Sequence, residues 1–237
     1  GSLYGYIGPE GETAIKPRFR EAGSFNGEKA LVKLAEGRYA LIDRQGAIIA
    51  IYAYEYVTDY AEGMSVFKGE DGRFGYLDEE GKAVVEPRFN WARPFRHGLA
   101  VVVRGDRYGV VDRQGQFAIE PEYNEAMVLS ERLIAVGRSS DPEIPYSPVR
   151  YALADRNGRL LSDFIYYEVY QAQDGLVPVT DYTASYFVDS SGKRAEGMPA
   201  IGGIGRLSWD GKVIKAETDR ELAYYDRRGK GVWRAPL

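Results

Sequence analysis

Two aromatic side chains, Tyr56 and Trp91, each follow a glycine by ten residues and stand 35 residues apart. If successive segments of the chain stack in register, these two rings lie near each other on one edge. They could then form a platform for a sugar ring, a peptide or a proline-rich strand. Tyr52 stands where three other segments carry proline and would extend this patch. The same spacing also suits core aromatics, because strand periodicity can turn the column inward.

A second cluster of tyrosines follows further along the chain, at Tyr166, Tyr167 and Tyr170 with Tyr182. Tyr166 belongs to an aromatic column that recurs eight residues after a glycine and is interpreted as core. The members of this column are Phe19, Tyr54, Phe89, Tyr123 and Tyr166. Tyr167 and Tyr170 therefore remain as the candidate binding residues of this cluster.

Catalytic and metal chemistry is narrowly bounded, because the chain has no cysteine and a single histidine, His97. Thiolate nucleophiles, cysteine-ligated zinc and iron–sulfur clusters are excluded, and a Ser-His-Asp triad would have to use His97. His97 occupies a polar turn position and is interpreted as a solvated turn residue. A glycosidase needs two suitably spaced carboxylates, but no pair stands out among the 35 acids. We therefore expect no enzymatic activity, no metal and no cofactor.

Charge and hydropathy limit the partners. Lysine and arginine total 31 against 35 acids, giving a net charge of −4, and no stretch concentrates the basic residues. We expect no nucleic-acid partner. No apolar run approaches the roughly 20 residues of a membrane-spanning helix. Gly1 and Ser2 stand where a methionine would begin a chain and are interpreted as a cloning scar.

One segment recurs seven times and organises the whole chain. The copies are YGYIGPEG, YALIDRQG, FGYLDEEG, YGVVDRQG, YALADRNG, SYFVDSSG and LAYYDRRG, starting at residues 4, 39, 74, 108, 151, 185 and 222. Self-similarity with a period of about 35 residues is typical of repeat architectures. Each copy predicts three or four short strands and no helix, so neighbouring copies must stack to bury an apolar face. Residues 3–237 are predicted to form a single all-β repeat domain.

Each copy begins with a predicted β-hairpin. Six of the seven turns start with aspartate, which can accept a hydrogen bond from the backbone two residues on. All seven carry glycine three residues later, where a positive φ is expected. One carboxylate per copy supplies too few of the six to eight oxygens that calcium requires, so the aspartates are interpreted as turn residues.

The segment FGYLDEEGKAVVEPRFNWARPFRHGLAVVV, residues 74–103, resembles the unit of the bacterial WG-repeat proteins. That unit runs aromatic-glycine-apolar-apolar-aspartate, glycine-lysine, apolar-apolar-x-proline and aromatic, then phenylalanine and glycine-leucine-alanine-valine. The usual tryptophan is tyrosine or phenylalanine here, and the copies starting at 151, 185 and 222 depart further from the pattern. The resemblance implies a bacterial source and favours an envelope or secreted setting over the cytoplasm.

Two arrangements of the repeats remain open. The seventh copy supplies only one hairpin, and blades of the familiar β-propellers are longer, at about 40–50 residues. These features favour an open β superhelix of six and a half copies, with a closed propeller of six or seven blades as the alternative.

The functional expectation is a non-enzymatic protein-binding or scaffold module. Its candidate contacts are Tyr52, Tyr56, Trp91, Tyr167 and Tyr170. The alternatives are a carbohydrate-binding module at the cell surface and, less favoured, a glycoside hydrolase.

Overall fold

The computed structural model describes residues 2–144, 147–202, 205–218, 220–226 and 228–236. Within these ranges the protein is all-β, as the sequence predicts, with short antiparallel strands arranged in small sheets. They hold no helix that is long and apolar enough to cross a membrane. The chain divides into two compact units, Gly1–Phe117 and Ala118–Leu237.

The first unit contains a series of meanders. A two-stranded sheet is formed by β1 (Tyr4–Ile7) and β2 (Thr13–Phe19). The next sheet contains β3 (Glu21–Ala22), β4 (Lys29–Lys33), β5 (Tyr39–Asp43) and β6 (Ile48–Ile51). It is followed by the sheet of β7 (Val57–Ala61), β8 (Met64–Lys68), β9 (Phe74–Leu77) and β10 (Ala83–Phe89). Strands β11 (Trp91–Ala92), β12 (Leu99–Arg104) and β13 (Arg107–Asp112) pair in the same way.

The second unit repeats this pattern. Strand β14 (Phe117–Tyr123) contains the boundary between the units. A three-stranded sheet contains β15 (Glu125–Val128), β16 (Leu133–Ser139) and β17 (Val149–Asp155). A four-stranded sheet contains β18 (Glu168–Val169), β19 (Val177–Thr180), β20 (Ala184–Val188) and β21 (Ile201–Gly202). The last contains β22 (Gly205–Trp209), β23 (Val213–Thr218), β24 (Glu221–Asp226) and β25 (Gly231–Pro236).

Each four-stranded sheet joins the end of one sequence copy to the start of the next. Strands β4 and β5, for example, belong to successive copies and are separated only by residues 34–38. They pair from Lys33↔Tyr39 to Lys29↔Asp43. The hairpin of the seventh copy, β24–β25, therefore completes the last sheet instead of standing alone. The two-stranded half lies at the other end of the chain, as β1–β2. Four strands is the number in a propeller blade, and the choice between open and closed arrangements stays a prediction.

The hairpin turns are formed as the sequence predicts. In the turn after β5, the Asp43 carboxylate accepts hydrogen bonds from the backbone N–H of Gln45 at 3.0 Å and of Ala47 at 2.8 Å. Gly46 takes a φ of 82°, which is strained for any residue with a side chain. The same pair of hydrogen bonds recurs at Asp78, Asp112, Asp155, Asp189 and Asp226. These aspartates are therefore structural.

The recurring aromatic column lies in the core, as predicted. Phe19 and Phe89 are buried in the first unit, and Tyr123 and Tyr166 are buried in the second. Burying one such ring stabilises the fold by about 1.5–3 kcal/mol. Tyr54, the remaining member of the column, is half-buried. Because this column is used for packing, recognition has to use other positions of the repeat.

Candidate functional site

Tyr56 and Trp91 occupy matching places in successive sheets. Tyr56 immediately precedes β7, and its carbonyl accepts a hydrogen bond from the Lys68 backbone N–H at 3.1 Å. Trp91 begins β11 and pairs with Val103 of β12. Both residues therefore sit where the first strand of a sheet begins, and the paired backbone fixes where each side chain leaves the chain.

A third ring, Phe74 at the start of β9, joins these two residues. The Tyr56 and Phe74 ring centroids are 6.2 Å apart with an interplanar angle of 80°, and those of Phe74 and Trp91 are 5.1 Å apart at 65°. Both are edge-to-face contacts of the favourable kind. Phe74 is buried, whereas Tyr56 is 40% and Trp91 49% exposed. We call Tyr56, Phe74 and Trp91 the aromatic trio: two exposed rings held against one buried ring.

Tyr52 does not belong to this surface. Only 1% of the residue is exposed, and it packs in a core cluster with Leu41 and Phe67. Its backbone N–H donates to the Tyr39 carbonyl at 2.8 Å, which continues the pairing of β6 with β5. Its ring also covers Gly81, the turn glycine of the next copy, where a Cβ would lie 2.8 Å from the Tyr52 Cδ1. The prediction that Tyr52 extends the exposed patch is corrected.

The Tyr52 hydroxyl is a buried polar group beside the Ser65 hydroxyl. Neither oxygen has a hydrogen-bond partner of normal geometry within the part of the chain that is described. Burial raises the pKa of Tyr52 to about 12, although the neighbouring Ser65 hydroxyl acts in the opposite direction. The hydroxyl stays protonated at neutral pH and contributes no charge to the surface.

A partly buried ionic cluster links two sheets of the first unit. Glu79, in the turn after β9, accepts hydrogen bonds from Lys29 of β4 and from the hydroxyl of Tyr60. Burial by itself would raise the pKa of Glu79, but these two hydrogen bonds lower it below its usual value. Burial and the hydrogen bond to Glu79 raise the pKa of Tyr60. The charged and polar groups of the cluster bond to one another, so we interpret its role as structural.

A groove of about 1020 Å³ adjoins the aromatic trio. It is lined by residues 53–56, by residues 67–72, and by Glu86 and Pro87 of β10, so Tyr56 belongs to both the groove and the trio. We call it the acidic groove, because four of its lining residues are carboxylates and Lys68 is the one cation among them. No sequence pattern predicts this groove, since its acidic residues are scattered over separate segments of the chain.

Three of the groove carboxylates, those of Glu55, Glu70 and Glu86, are exposed and form no hydrogen bond or ion pair with any residue that the structure describes. Asp71 is engaged, because its carboxylate lies 3.8 Å from Arg73. No group of three or more His, Asp or Glu side chains within the described ranges is arranged to hold a metal ion. The groove therefore presents unneutralised negative charge beside aromatic surface.

Tyr167 is half-buried in the second unit, in a cluster with an arginine. Its ring meets that of Tyr182 edge-to-face, with centroids 4.4 Å apart and an angle of 82°. The guanidinium carbon of Arg150 lies 3.4 Å from the Tyr167 ring centroid, which is a close cation–π contact. One face of Tyr167 is therefore already occupied by the chain itself.

Tyr170 is likewise half-buried and engaged. Its hydroxyl donates to the Glu168 carboxylate at 2.6 Å, and Arg206 lies 5.0 Å from its ring centroid. Burial, and then this hydrogen bond, raise the pKa of Tyr170 to about 12. Its role in binding stays a prediction, as does that of Tyr167.

His97 lies in a turn, as the sequence predicts, and the turn is held by the preceding copy. The Glu62 carboxylate accepts hydrogen bonds from the backbone N–H of His97 at 2.6 Å and of Gly98 at 2.8 Å. His97 has a φ of 53°, in the left-handed region. This contact joins equivalent turns of adjacent copies, a role for Glu62 that its sequence position did not reveal.

Comparison with known families and structures agrees with this architecture. The family described as WG containing repeat matches residues 4–39, 74–108 and 108–136. No curated protein matches the sequence.

Similar folds occur among solved structures. A eukaryotic initiation factor has a TM-score of 0.61 at 15% identity, covering 99% of this chain and 72% of its own. Hsv2p of Kluyveromyces lactis has a TM-score of 0.52 at 10% identity, covering 94% and 86%. BamB of Moraxella catarrhalis has a TM-score of 0.51 at 15% identity, covering 91% and 72%. Identities this low show a shared fold and nothing about function.

Proposed function

We propose that this chain, which is a WG-repeat protein, is a non-enzymatic scaffold module that recognises another protein through the aromatic trio. The observation that carries the proposal is the exposure of 40% of Tyr56 and 49% of Trp91 beside a buried phenylalanine. Tyrosine and tryptophan are enriched among the residues that dominate binding energy at protein interfaces. Repeat proteins present such residues on extended surfaces built from stacked units.

The trio suits recognition because its rings are held before a partner arrives. Both exposed rings rest edge-to-face on Phe74, and both residues are fixed by backbone pairing at the start of a strand. An aromatic side chain that is already ordered loses little conformational entropy on binding. A partner that covers the rings therefore gains the burial of apolar area at low entropic cost.

The test is selection of peptides from a randomised display library on the immobilised protein. The double variant Tyr56→Ala/Trp91→Ala removes both exposed rings of the trio. The matched control is Tyr4→Ala/Trp233→Ala, which removes the same residue types from positions outside the trio, where they are 55% and 52% exposed. Circular dichroism confirms that each variant is folded.

We expect the selected peptides to bind the control variant with unchanged affinity and the trio variant at least about tenfold more weakly, since two interface aromatics are removed. Equal binding to both variants would refute the trio as the recognition surface. A glycan array with the same proteins addresses the alternative. Glycan binding without peptide binding would replace the proposal with a carbohydrate-binding module, and release of reducing sugars would replace it with a hydrolase.

A further inference from the structure

The acidic groove and the aromatic trio share Tyr56, so a partner seated on the trio also meets the groove. We propose that the acidic groove binds an extended, lysine- or arginine-bearing segment of the partner protein. This inference rests on the proposed function and adds the chemistry of the partner.

The first argument is charge. Glu55, Glu70 and Glu86 are exposed and unpaired among the described residues, while Asp71 is shared with Arg73. The one cation lining the groove, Lys68, lies with its ammonium 5.7 Å from the Phe74 ring centroid, at the base of the trio. With four carboxylates against one lysine in its lining, the groove keeps a net negative charge. Anionic partners such as nucleic acid or an acidic membrane surface are repelled by it, and a cationic segment is attracted.

The second argument is the nature of the lining. Besides its carboxylates, the groove is bordered by Tyr54, Tyr56 and Pro87. Lysine and arginine bury their aliphatic stems along such apolar surface while the charged end remains at a polar rim. Their cationic ends also interact favourably with exposed aromatic faces. A purely polar chain would satisfy the carboxylates but leave the rings uncovered.

The third argument is size. A volume of about 1020 Å³ is at the upper end of the roughly 300–1,000 Å³ that small-molecule pockets occupy. The groove is also open to solvent. These dimensions suit an extended segment with several side chains better than one small ligand.

The experiment uses a fluorescein-labelled synthetic peptide with four lysines separated by glycine and proline. Two matched peptides carry glutamine or glutamate in place of the lysines. Binding to the full chain is measured by fluorescence anisotropy. The groove variant is Glu55→Gln/Glu70→Gln/Glu86→Gln. The matched control is Glu131→Gln/Glu143→Gln/Glu196→Gln, which removes the same charge from exposed positions of the second unit.

We expect the lysine peptide to bind the protein at least about tenfold more tightly than the glutamine peptide, with no binding of the glutamate peptide. The groove variant should lose about tenfold in affinity for the lysine peptide, and the control should stay within about twofold. Affinity should fall as salt rises from about 0.01 to 1 M, because the Debye length shrinks from about 30 to 3 Å.

Equal losses in the groove variant and the control would show a general charge effect and overturn the inference. Binding of the glutamine peptide as tight as that of the lysine peptide would overturn it as well. So would a glycan that binds the unchanged protein and no longer binds the groove variant. Failure of the proposed function can be distinguished from failure of the groove inference. If library peptides require the trio but lack basic residues and tolerate the groove variant, the trio stands and the groove inference falls. If no peptide of either kind binds, both are refuted.

Discussion

Replacing Gly81 by alanine should destabilise the protein far more than the same change at Gly11, although both glycines occupy the same turn position of the repeat. Gly81 has a φ of 83° and Gly11 a φ of 87°, so the backbone strain of an alanine is shared. A left-handed alanine costs about 1–2 kcal/mol. At Gly11 no atom of the described residues lies within 4 Å of the added Cβ, so we expect no further cost there.

At Gly81 the added methyl group meets a buried ring. The Cβ would lie 2.8 Å from the Tyr52 Cδ1 and 3.3 Å from its Cε1. Tyr52 is enclosed in the core and cannot rotate into solvent. Overpacking of this kind costs a further 1–3 kcal/mol, roughly. We therefore expect a loss of about 2–5 kcal/mol for Gly81→Ala, against about 1–2 kcal/mol for Gly11→Ala.

Urea unfolding followed by far-UV circular dichroism measures both losses, and a double variant isolates the contact. In a Tyr52→Leu background the ring is absent, so Gly81→Ala should cost no more than Gly11→Ala does in the unchanged protein. If the two glycine variants differ by less than about 0.5 kcal/mol, the usual error of additivity, the packing argument is refuted and Gly81 is required for its φ alone.

Two further predictions concern buried polar groups. Hydrogen bonds from Lys29 and Tyr60 outweigh burial and lower the pKa of Glu79 in the folded protein. The ionised carboxylate therefore stabilises the fold fully at pH values above its ordinary pKa of 4.5. This stabilisation is lost as the pH falls through the lower pKa of the folded state. Because the Glu79 side chain is 29% exposed, Glu79→Gln should cost only about 1 kcal/mol at pH 7. In paired urea titrations this cost should shrink as the pH falls below 4.5. A cost independent of pH would contradict this. Tyr52→Phe should leave stability unchanged or raise it by up to about 1 kcal/mol, since the hydroxyl has no partner of normal geometry among the described residues. A loss above about 1 kcal/mol would reveal a stabilising hydrogen bond to Ser65.

The repeat and its turns could be predicted from the sequence because they depend on neighbours along the chain. Asp43 bonds to backbone groups two and four residues ahead of it, and Gly46 completes the same turn. Turn chemistry of this kind depends on a few adjacent residues, so recurring letters are sufficient evidence for it. The grouping of strands into sheets was less accessible. It requires knowing that β5 pairs with the strand before it, across the boundary between two copies.

The error at Tyr52 has a physical cause in the segment that carries it. The sequence places Tyr52 on the surface because it replaces a proline. The prolines at this position of other copies, Pro17, Pro87 and Pro121, lie within strands β2, β10 and β14 and are exposed or half-buried. In the second copy β6 ends at Ile51, so Tyr52 follows the strand instead of lying within it, and its ring is buried. A surface position transfers from one copy to another only where the strand geometry is kept.

The pairing of Tyr56 with Trp91 was predictable, and the ring that joins them was not. Equal spacing from two turn glycines placed both residues at equivalent points of adjacent copies. Phe74 belongs to the first position of the third copy, which is aromatic in most copies, so nothing in its own column distinguished it. Its place beside Tyr56 follows from the pairing of β8 with β9, and its contact with Trp91 joins this sheet to the next. Contacts across strands are set by this register.

The trio arises because one scaffold position changes its chemistry from copy to copy. In the first full sheet this position holds Glu21, whose carboxylate lies 3.1 Å from the Lys33 ammonium, and that ammonium lies 4.8 Å from the Tyr39 ring centroid. The charges there are satisfied within the sheet. In the next sheet Tyr56 stands where Glu21 would, and Lys68 keeps its place over an aromatic ring without that carboxylate. The same backbone thus exchanges an internal ion pair for an exposed ring, which is how a uniform repeat can carry a local recognition surface.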